Sequence, residues 1–290
     1  MKNMKITTAV IPVAGTGTRF LPWTKASPKE LLPIGRKPVI QYIVEEVVEA
    51  GIKRIVLVTG AHKRAIEDYF DHNFELEYNL KKAGKLDQWK EVRRLAEMAE
   101  FIFIRQKGPY GNGTPVLEAE KIVGQEPFVV LWGDQFIQAQ PSRLKQCLNV
   151  WKKYQKPVIA GLKINKEQRK QSGMGRLKKI KDSVYEVLEI VEKPKSGQEP
   201  SEIMLSGVYI LTSEIFPILK QLRPGKDNEI WLVDGINQLI KKQTVLACEI
   251  KGGRFYDTGN LQSYAKTVME YMLKDPEIGK QMRKYVKKMV

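Results

Sequence analysis

The sequence predicts an α/β layer fold with an open sheet, on three observations. Apolar segments repeatedly give way to a glycine or polar turn and then to helical periodicity. Several of those polar turns fall at the ends of expected strands, where an open α/β sheet forms its ligand crevice. Neither a low-complexity linker nor an internal repeat divides the chain into independent units.

In chain order, Ile6 to Val13 reads as the first strand. Pro38 opens a helix whose Val39, Ile40, Ile43, Val44, Val47 and Val48 recur at three- and four-residue spacing, and Gly51 stops it. Arg54 to Val58 is a second buried strand, followed by a helix near His62 to Phe70. The more polar stretch 75–100 reads as an inserted helical region before a strand over Phe101 to Arg105. Thr114 to Ile122 is expected to be helical, and Pro127 to Leu131 to be a central strand. Beyond it, Pro157 to Leu162, Val184 to Val191, Ile203 to Leu211 and Thr244 to Ile250 read as strands, and Asp234 to Lys241 as a helix. The economical division is one catalytic domain over 1–275 and a basic helical extension over 276–290.

Of the 290 residues 42% are hydrophobic, enough to bury a substantial core without a covalent staple. The two cysteines, Cys147 and Cys248, lack the short spacing of a zinc or dithiol centre, which fits a reduced compartment. Nowhere do 18 apolar residues follow one another, so a soluble, cytoplasmic protein without a membrane partner is expected. The formal charge of +16 is spread over helices and concentrated in Lys280 to Lys288, with four Lys and one Arg. A solvated surface and the steering of small phosphates both fit it. No nucleic-acid motif or aromatic stacking stripe accompanies the charge, so a nucleic-acid partner is not expected.

The richest stretch is Val13-Ala14-Gly15-Thr16-Gly17-Thr18-Arg19, directly after the first strand. Small residues there expose turn N–H groups to oxyanions without a side-chain collision. A tight structural turn would look the same, but Lys25 and Lys29 follow closely, and three cations around a backbone cradle suit a triphosphate better than an apolar core. The segment is neither a GxxxxGK[ST] P-loop nor a complete GxGxxG motif, and Val58-Thr59-Gly60 carries no acid for a ribose. Phe128 to Asp134 delivers an acid just past an apolar strand, and Arg254 to Asn260 presents another beside a compact turn. Brought together, Asp134 and Asp257 would offer hard oxygen ligands to Mg²⁺; either alone also fits a surface turn. Gln106 can pair in both directions with a base edge, and the loop Gly111 to Thr114 permits close backbone approach. Val191-Glu192-Lys193-Pro194 sets an acceptor beside a cation at a strand end, as a surface ion pair also would.

The combined spelling resembles the nucleotidyltransferase family that makes nucleotide sugars, and within it the bacterial UTP:glucose-1-phosphate uridylyltransferases. The correspondence runs over roughly residues 6–275. Its phrases are AVIPVAGTGTRFLPWTKASPKELLPIGRKPVIQYIVEE, IVLVTG, VEKP, DNEIWLVDGINQLI and YDTGN, in that order.

The resemblance implies a Rossmann-like three-layer α/β/α sandwich with a mixed central sheet, of the nucleotide-diphospho-sugar transferase type. It implies transfer of a uridylyl group from UTP to glucose 1-phosphate, giving UDP-glucose and pyrophosphate, with Mg²⁺ as cofactor. Ala14, Gly15 and Gly17 would then cradle the nucleotide, Arg19 and Lys29 handle its triphosphate, and Gln106 and Gly111 read its base. Asp134 and Asp257 resemble the metal pair, Glu192 and Lys193 the receivers of sugar and sugar phosphate, and Gly207 a backbone contact in the sugar pocket. A homodimer or homotetramer is implied as well. The sequence departs from the family pattern in two places: Lys107 to Pro115 replaces a glycine-rich run containing Gly-His-Ala, and Trp132-Gly133 replaces Leu-Pro before the metal acid. Those departures bear on base and sugar preference. A thymidylyltransferase, an N-acetylglucosamine-1-phosphate uridylyltransferase and a non-catalytic nucleotide-sugar-binding protein are the alternatives.

Overall fold

Strand β1 (Thr8–Val13) opens the chain's regular structure and is followed by short 3₁₀ turns and a ribbon of β2 (Pro33–Ile34) and β3 (Lys37–Pro38). Next come α1 (Val39–Glu49), β4 (Arg54–Thr59) and α2 (Arg64–Tyr69). Two helices, α3 (Phe74–Lys82) and α4 (Leu86–Glu97), precede β5 (Glu100–Arg105); α5 (Thr114–Glu118), α6 (Glu120–Val123) and β6 (Phe128–Leu131) come after it. The middle of the chain forms β7 (Gln135–Gln138), α7 (Arg143–Tyr154), β8 (Val158–Lys163), α8 (Lys166–Arg169), β9 (Gly173–Lys181) and β10 (Val184–Glu192). The last part forms β11 (Ile203–Leu211), α9 (Ile215–Gln221), α10 (Leu232–Ile240), β12 (Leu246–Glu249), β13 (Arg254–Asp257), α11 (Leu261–Lys274) and α12 (Gly279–Met289). This computed structural model describes residues 4–108, 111–170, 172–225 and 228–289; the side chains of Phe136 and Asp257 fall outside what is described.

Nine strands form the main sheet in the order β5-β4-β1-β6-β11-β8-β12-β10-β9. β4, β1 and β6 run parallel, as do β5 with β4 and β12 with β8, whereas β11 is antiparallel to both β6 and β8. The sheet is therefore mixed. From β1 the chain moves outward to β4 and β5 on one side and returns to β6 on the other, so the strand order reverses at β1. A ligand crevice opens at such a reversal, past the carboxyl ends of the strands.

Alternation along the strands divides the core between two faces. Ala9, Ile11 and Val13 of β1 and Ile55 and Leu57 of β4 enter one cluster with α1 and α7; Val10, Val56 and Val58 enter the other with α5, α9 and α10. Helices on both sides complete a Rossmann-like α/β/α sandwich. Helix α1 buries Val39, Ile40, Ile43, Val44 and Val47, the spacing that predicted it, and ends before Gly51 at φ 85°.

Several boundaries differ from the sequence expectation. The first strand starts at Thr8 rather than Ile6. The helix expected over Thr114 to Ile122 divides at Ala119, whose N–H closes a three-residue turn on Val116. Strand β9 escaped notice because it carries Arg176, Lys178, Lys179 and Lys181; it lies at the sheet edge, where lysines discourage pairing with another chain. Among the described residues no helix is long and apolar enough to cross a membrane.

Candidate active site

The turn after β1 is shaped by close packing. Gly17 sits at φ 70°, its carbonyl accepting from the Thr24 hydroxyl at 2.8 Å and from the Phe20 N–H at 3.0 Å. A Cβ on Gly15 would stand 3.3 Å from Lys29 Nζ, and a Cβ on Gly60 only 2.9 Å from the Ala14 carbonyl oxygen. The loop 14–17 is thereby pressed between the end of β4 and the Lys29 side chain.

Lys29 reaches across the crevice to Asp134, with Nζ 2.5 Å from Oδ2. Burial pulls the Lys29 ammonium down, but the carboxylates of Asp134 and Glu30 overcome this and hold it above its ordinary 10.5. Behind it, Glu30 and Lys63 form a nearly fully enclosed ion pair at 2.7 Å. Burial pushes the Glu30 carboxyl up, with the Lys63 and Lys29 ammonium groups opposing the shift.

Asp134 leaves β6 through Gly133, where an added Cβ would lie 2.6 Å from a Val13 methyl. The β7–β13 ribbon then sets the backbone of Asp257 opposite Gln135, the residue after Asp134. Thr258 donates its hydroxyl to the Asp134 carbonyl, and Arg19 donates to the Gly259 carbonyl at 3.4 Å. Loop 14–17, Arg19, Lys29, Asp134 and the backbone at 257–259 thus converge at the strand reversal. The side chain of Asp257 itself lies outside the described residues.

Gln106 directly follows β5, its N–H bonded to the Thr59 carbonyl at 2.8 Å. Gly111, at φ 112°, lies so close to Ile230 that an added Cβ would be 2.3 Å from its carbonyl oxygen. Gly113 donates its N–H to that oxygen at 2.9 Å, and the Asn112 side chain accepts from the Leu232 N–H at 2.7 Å. The glycine loop is therefore clasped to the start of α10, a junction between two sequence phrases 120 residues apart. Residues 109 and 110 of that departing segment lie outside the described residues. Trp132 packs edge-on against Tyr209 with ring centroids 5.4 Å apart.

Glu192 ends β10 and Lys193 directly follows it. Lys193 adopts φ 47°, its N–H bonded to the Ser172 carbonyl at 3.2 Å and its Nζ 5.3 Å from the centre of the Trp231 ring. A non-glycine residue held there stores strain on the order of 1–3 kcal/mol, which persists where surrounding contacts enforce it. Crowding by protein raises the Glu192 carboxyl although part of it meets solvent, Lys193 opposing and the Asp234 carboxylate adding to the shift. Gly207, at φ 90°, lies against the buried Arg143.

Sequence reasoning did not pick out Thr24, Lys63, Thr258, Trp231 or Arg143. Thr24, Thr258 and Trp231 fall inside the quoted phrases, so a signal was present; for Lys63 and Arg143, each an unremarkable cation in a helical stretch, there was none.

Asp134 suits a hard divalent cation: it is a carboxylate, one-fifth exposed, on which the Lys29 ammonium already sits as a stand-in cation. Among the described residues no group of three or more His, Cys, Asp or Glu could hold a metal. Mg²⁺ does not require one, since one or two carboxylates together with substrate phosphates complete its shell.

A mixed sandwich with a glycine cradle, paired cations and an acid at its strand reversal is the architecture of a nucleotide-handling transferase. The family model for nucleotidyl transferases matches residues 8–273, and the chain belongs to that family. It is 43% identical to the UTP–glucose-1-phosphate uridylyltransferase of Staphylococcus epidermidis over 98% of this chain and 99% of that protein. A solved UDP-glucose pyrophosphorylase complexed with UDP-glucose is 38% identical, with a TM-score of 0.85 over 93% of this chain and 100% of that one. The UDP-glucose pyrophosphorylase of Acinetobacter baumannii superposes with a TM-score of 0.90 at 34% identity, over 99% and 100% of the two chains. Family membership implies divalent-cation-assisted nucleotidyl transfer.

Proposed function

We propose that this chain transfers the uridylyl group of UTP to glucose 1-phosphate, giving UDP-glucose and pyrophosphate. The observation that carries the reading is the Lys29–Asp134 pair, 2.5 Å apart beside the glycine cradle after β1. It gives one crevice a triphosphate cation and a metal-competent carboxylate, in a chain with uridylyltransferase relatives along its whole length.

The backbone of Ala14, Gly15 and Gly17 receives the nucleotide, and Arg19 and Lys29 hold its β- and γ-phosphates. For Lys29 this requires leaving Asp134, whose freed carboxylate, with Asp257, would hold Mg²⁺. When bound, that ion supplies charge neutralisation across the phosphates. Gln106 and the Gly111 backbone orient the base. Lys193 aligns the incoming sugar phosphate, Glu192 accepts from its hydroxyls, and Gly207 forms the wall behind the sugar. An oxygen of the sugar phosphate attacks the α-phosphorus as the bond to pyrophosphate breaks. A phosphate monoester is already anionic near neutral pH, so no general base is needed. Positioning and fixed charges carry the acceleration. The working unit is a homodimer or homotetramer.

The test is kcat/KM over a matrix of nucleoside triphosphates and sugar 1-phosphates, with products identified by mass. UTP with glucose 1-phosphate is expected to lead. A clear lead for dTTP or N-acetylglucosamine 1-phosphate would overturn the specificity, and an absence of pyrophosphate release with every pair would overturn the enzyme.

A further inference from the structure

Arg143, the first residue of α7, is fully buried, and its guanidinium touches three parts of the fold at once. Nε donates to Glu46 Oε2 of α1 at 3.0 Å, and the other oxygen of that carboxylate accepts from the Leu144 N–H at 3.0 Å. Nη2 donates to the Gln135 carbonyl at 3.1 Å. Among the described residues Nη1 has no hydrogen-bond partner, and it lies where a Cβ on Gly207 would come within 2.6 Å. Leaving one guanidinium nitrogen unpaired in a core is destabilising, and apolar side chains in place of both Arg143 and Glu46 would fill this space without that penalty. The arrangement therefore calls for a reason beyond packing.

The three contacts supply one. Gln135 immediately follows Asp134 and faces the backbone of Asp257 across the β7–β13 ribbon, so the hydrogen bond to its carbonyl holds the turn that carries Asp134 and the strand pair that brings in Asp257. Gly207 lies where β11 loses register with β8, between the pairs Leu205–Gly161 and Tyr209–Ile159, and pairing with β6 on the other side begins only at Val208. A rigid guanidinium fork anchored on Glu46 spans that gap. The nucleotide cradle has separate anchors in Thr24, Gly60 and Lys29.

We propose that Arg143 is a positioning residue that sets the distance between the metal-bearing turn at Asp134–Gln135 and the sugar wall at Gly207. Substrate need not touch it. The Thr258 hydroxyl still holds the Asp134 carbonyl when Arg143 is removed, so the loss falls on the sugar wall at Gly207 and the donor side stays in place. This inference rests on the proposed uridylyl transfer and on Gly207 as part of the sugar pocket.

The test compares wild type, Arg143→Lys, Arg143→Met and Gly207→Ala, each qualified by thermal unfolding, in steady-state assays with UTP and glucose 1-phosphate. Misplacement of a reacting group by about 1 Å can lower rate on the order of a hundredfold, so Arg143→Met is expected to lose about ten- to a hundredfold in kcat/KM for glucose 1-phosphate. Its dissociation constant for UTP, measured without sugar phosphate, should stay within about twofold, and Arg143→Lys should recover part of the loss. Gly207→Ala, which pushes on the same contact from the other side, should reproduce the split, and adding Arg143→Met to it should cost less than the sum of the two. If Arg143→Met yields no folded protein, Arg143→Lys decides, and should show a smaller loss confined to glucose 1-phosphate. Folded variants in which both substrates are affected equally, or neither, would overturn the inference. An inactive wild type would instead overturn the proposed reaction.

Discussion

Replacing Asp134 with Asn preserves side-chain size and removes the charge against which Lys29 is held. Unit charges 2.5 Å apart attract by about 7 kcal/mol gross at an effective dielectric of about 20. Both side chains are about one-fifth exposed, so screening and desolvation reduce the net stability loss to roughly 1–3 kcal/mol. For a chain of this size that lowers the unfolding midpoint by about 2–5 °C. Turnover should suffer far more: loss of one electrostatic contact that serves the transition state lowers kcat on the order of 10²–10³-fold. The pair also has a pH signature. With Asp134 present, the Lys29 pKa lies above 10.5, so the pair's stabilisation is complete below 10.5 and is lost as pH rises through that higher folded value. With Asn in place burial dominates, and Lys29 should lose its proton at lower pH than in wild type. The assays are pyrophosphate release at saturating substrates, thermal unfolding, and peptide mass analysis of Lys29 labelling by an amine reagent across pH. Turnover within threefold of wild type, or an unchanged labelling profile, would refute the reasoning.

Lys29→Met keeps the apolar stem and removes the ammonium, so kcat/KM for the triphosphate should fall by about 10²-fold or more; near-wild-type values over a full UTP titration would remove Lys29 from that role. The same variant leaves Asp134 without its ammonium partner, and calorimetry without nucleotide should show Mg²⁺ binding at least as tightly as in wild type. Gly111→Ala combines φ 112° with a Cβ set 2.3 Å from the Ile230 carbonyl oxygen, so stability should drop by about 1–3 kcal/mol and KM for UTP should rise. An unchanged melting curve and unchanged KM would show that the loop 111–113 and α10 are not coupled as described.

The first half of the fold was legible because its signals are local. The Val39 to Val48 periodicity, the apolar run ending at Val13 and the run ending at Leu131 each fall within one element and alternate or recur as the element requires. Elements that depend on distant partners were not legible. Strands β7 and β13 are four residues each and pair across more than a hundred residues of chain, with no alternation in either to announce them. Helix α7 buries Leu144, Cys147, Val150 and Trp151 at helical spacing, but the lysines between them obscured that face, and from the sequence only its lysine-bearing end reads as helical. At the site, the cradle and Lys29 stood out by composition alone. That Lys29 meets Asp134, that Gly111 needs to be glycine because Ile230 lies beneath it, and that Arg143 backs Gly207 are facts of tertiary packing, which no spacing in the sequence encodes.

The most direct measurement is a single turnover with enzyme in excess over UTP labelled at the α-phosphorus, in the presence of glucose 1-phosphate and Mg²⁺. Quenched samples are resolved into protein, nucleotide and nucleotide sugar. Direct transfer requires the label to pass from UTP to UDP-glucose at no less than the steady-state rate, with pyrophosphate appearing in step and none of the label on protein. Label that reaches the protein first and then moves on to product at a competent rate, or that never reaches UDP-glucose, would contradict it.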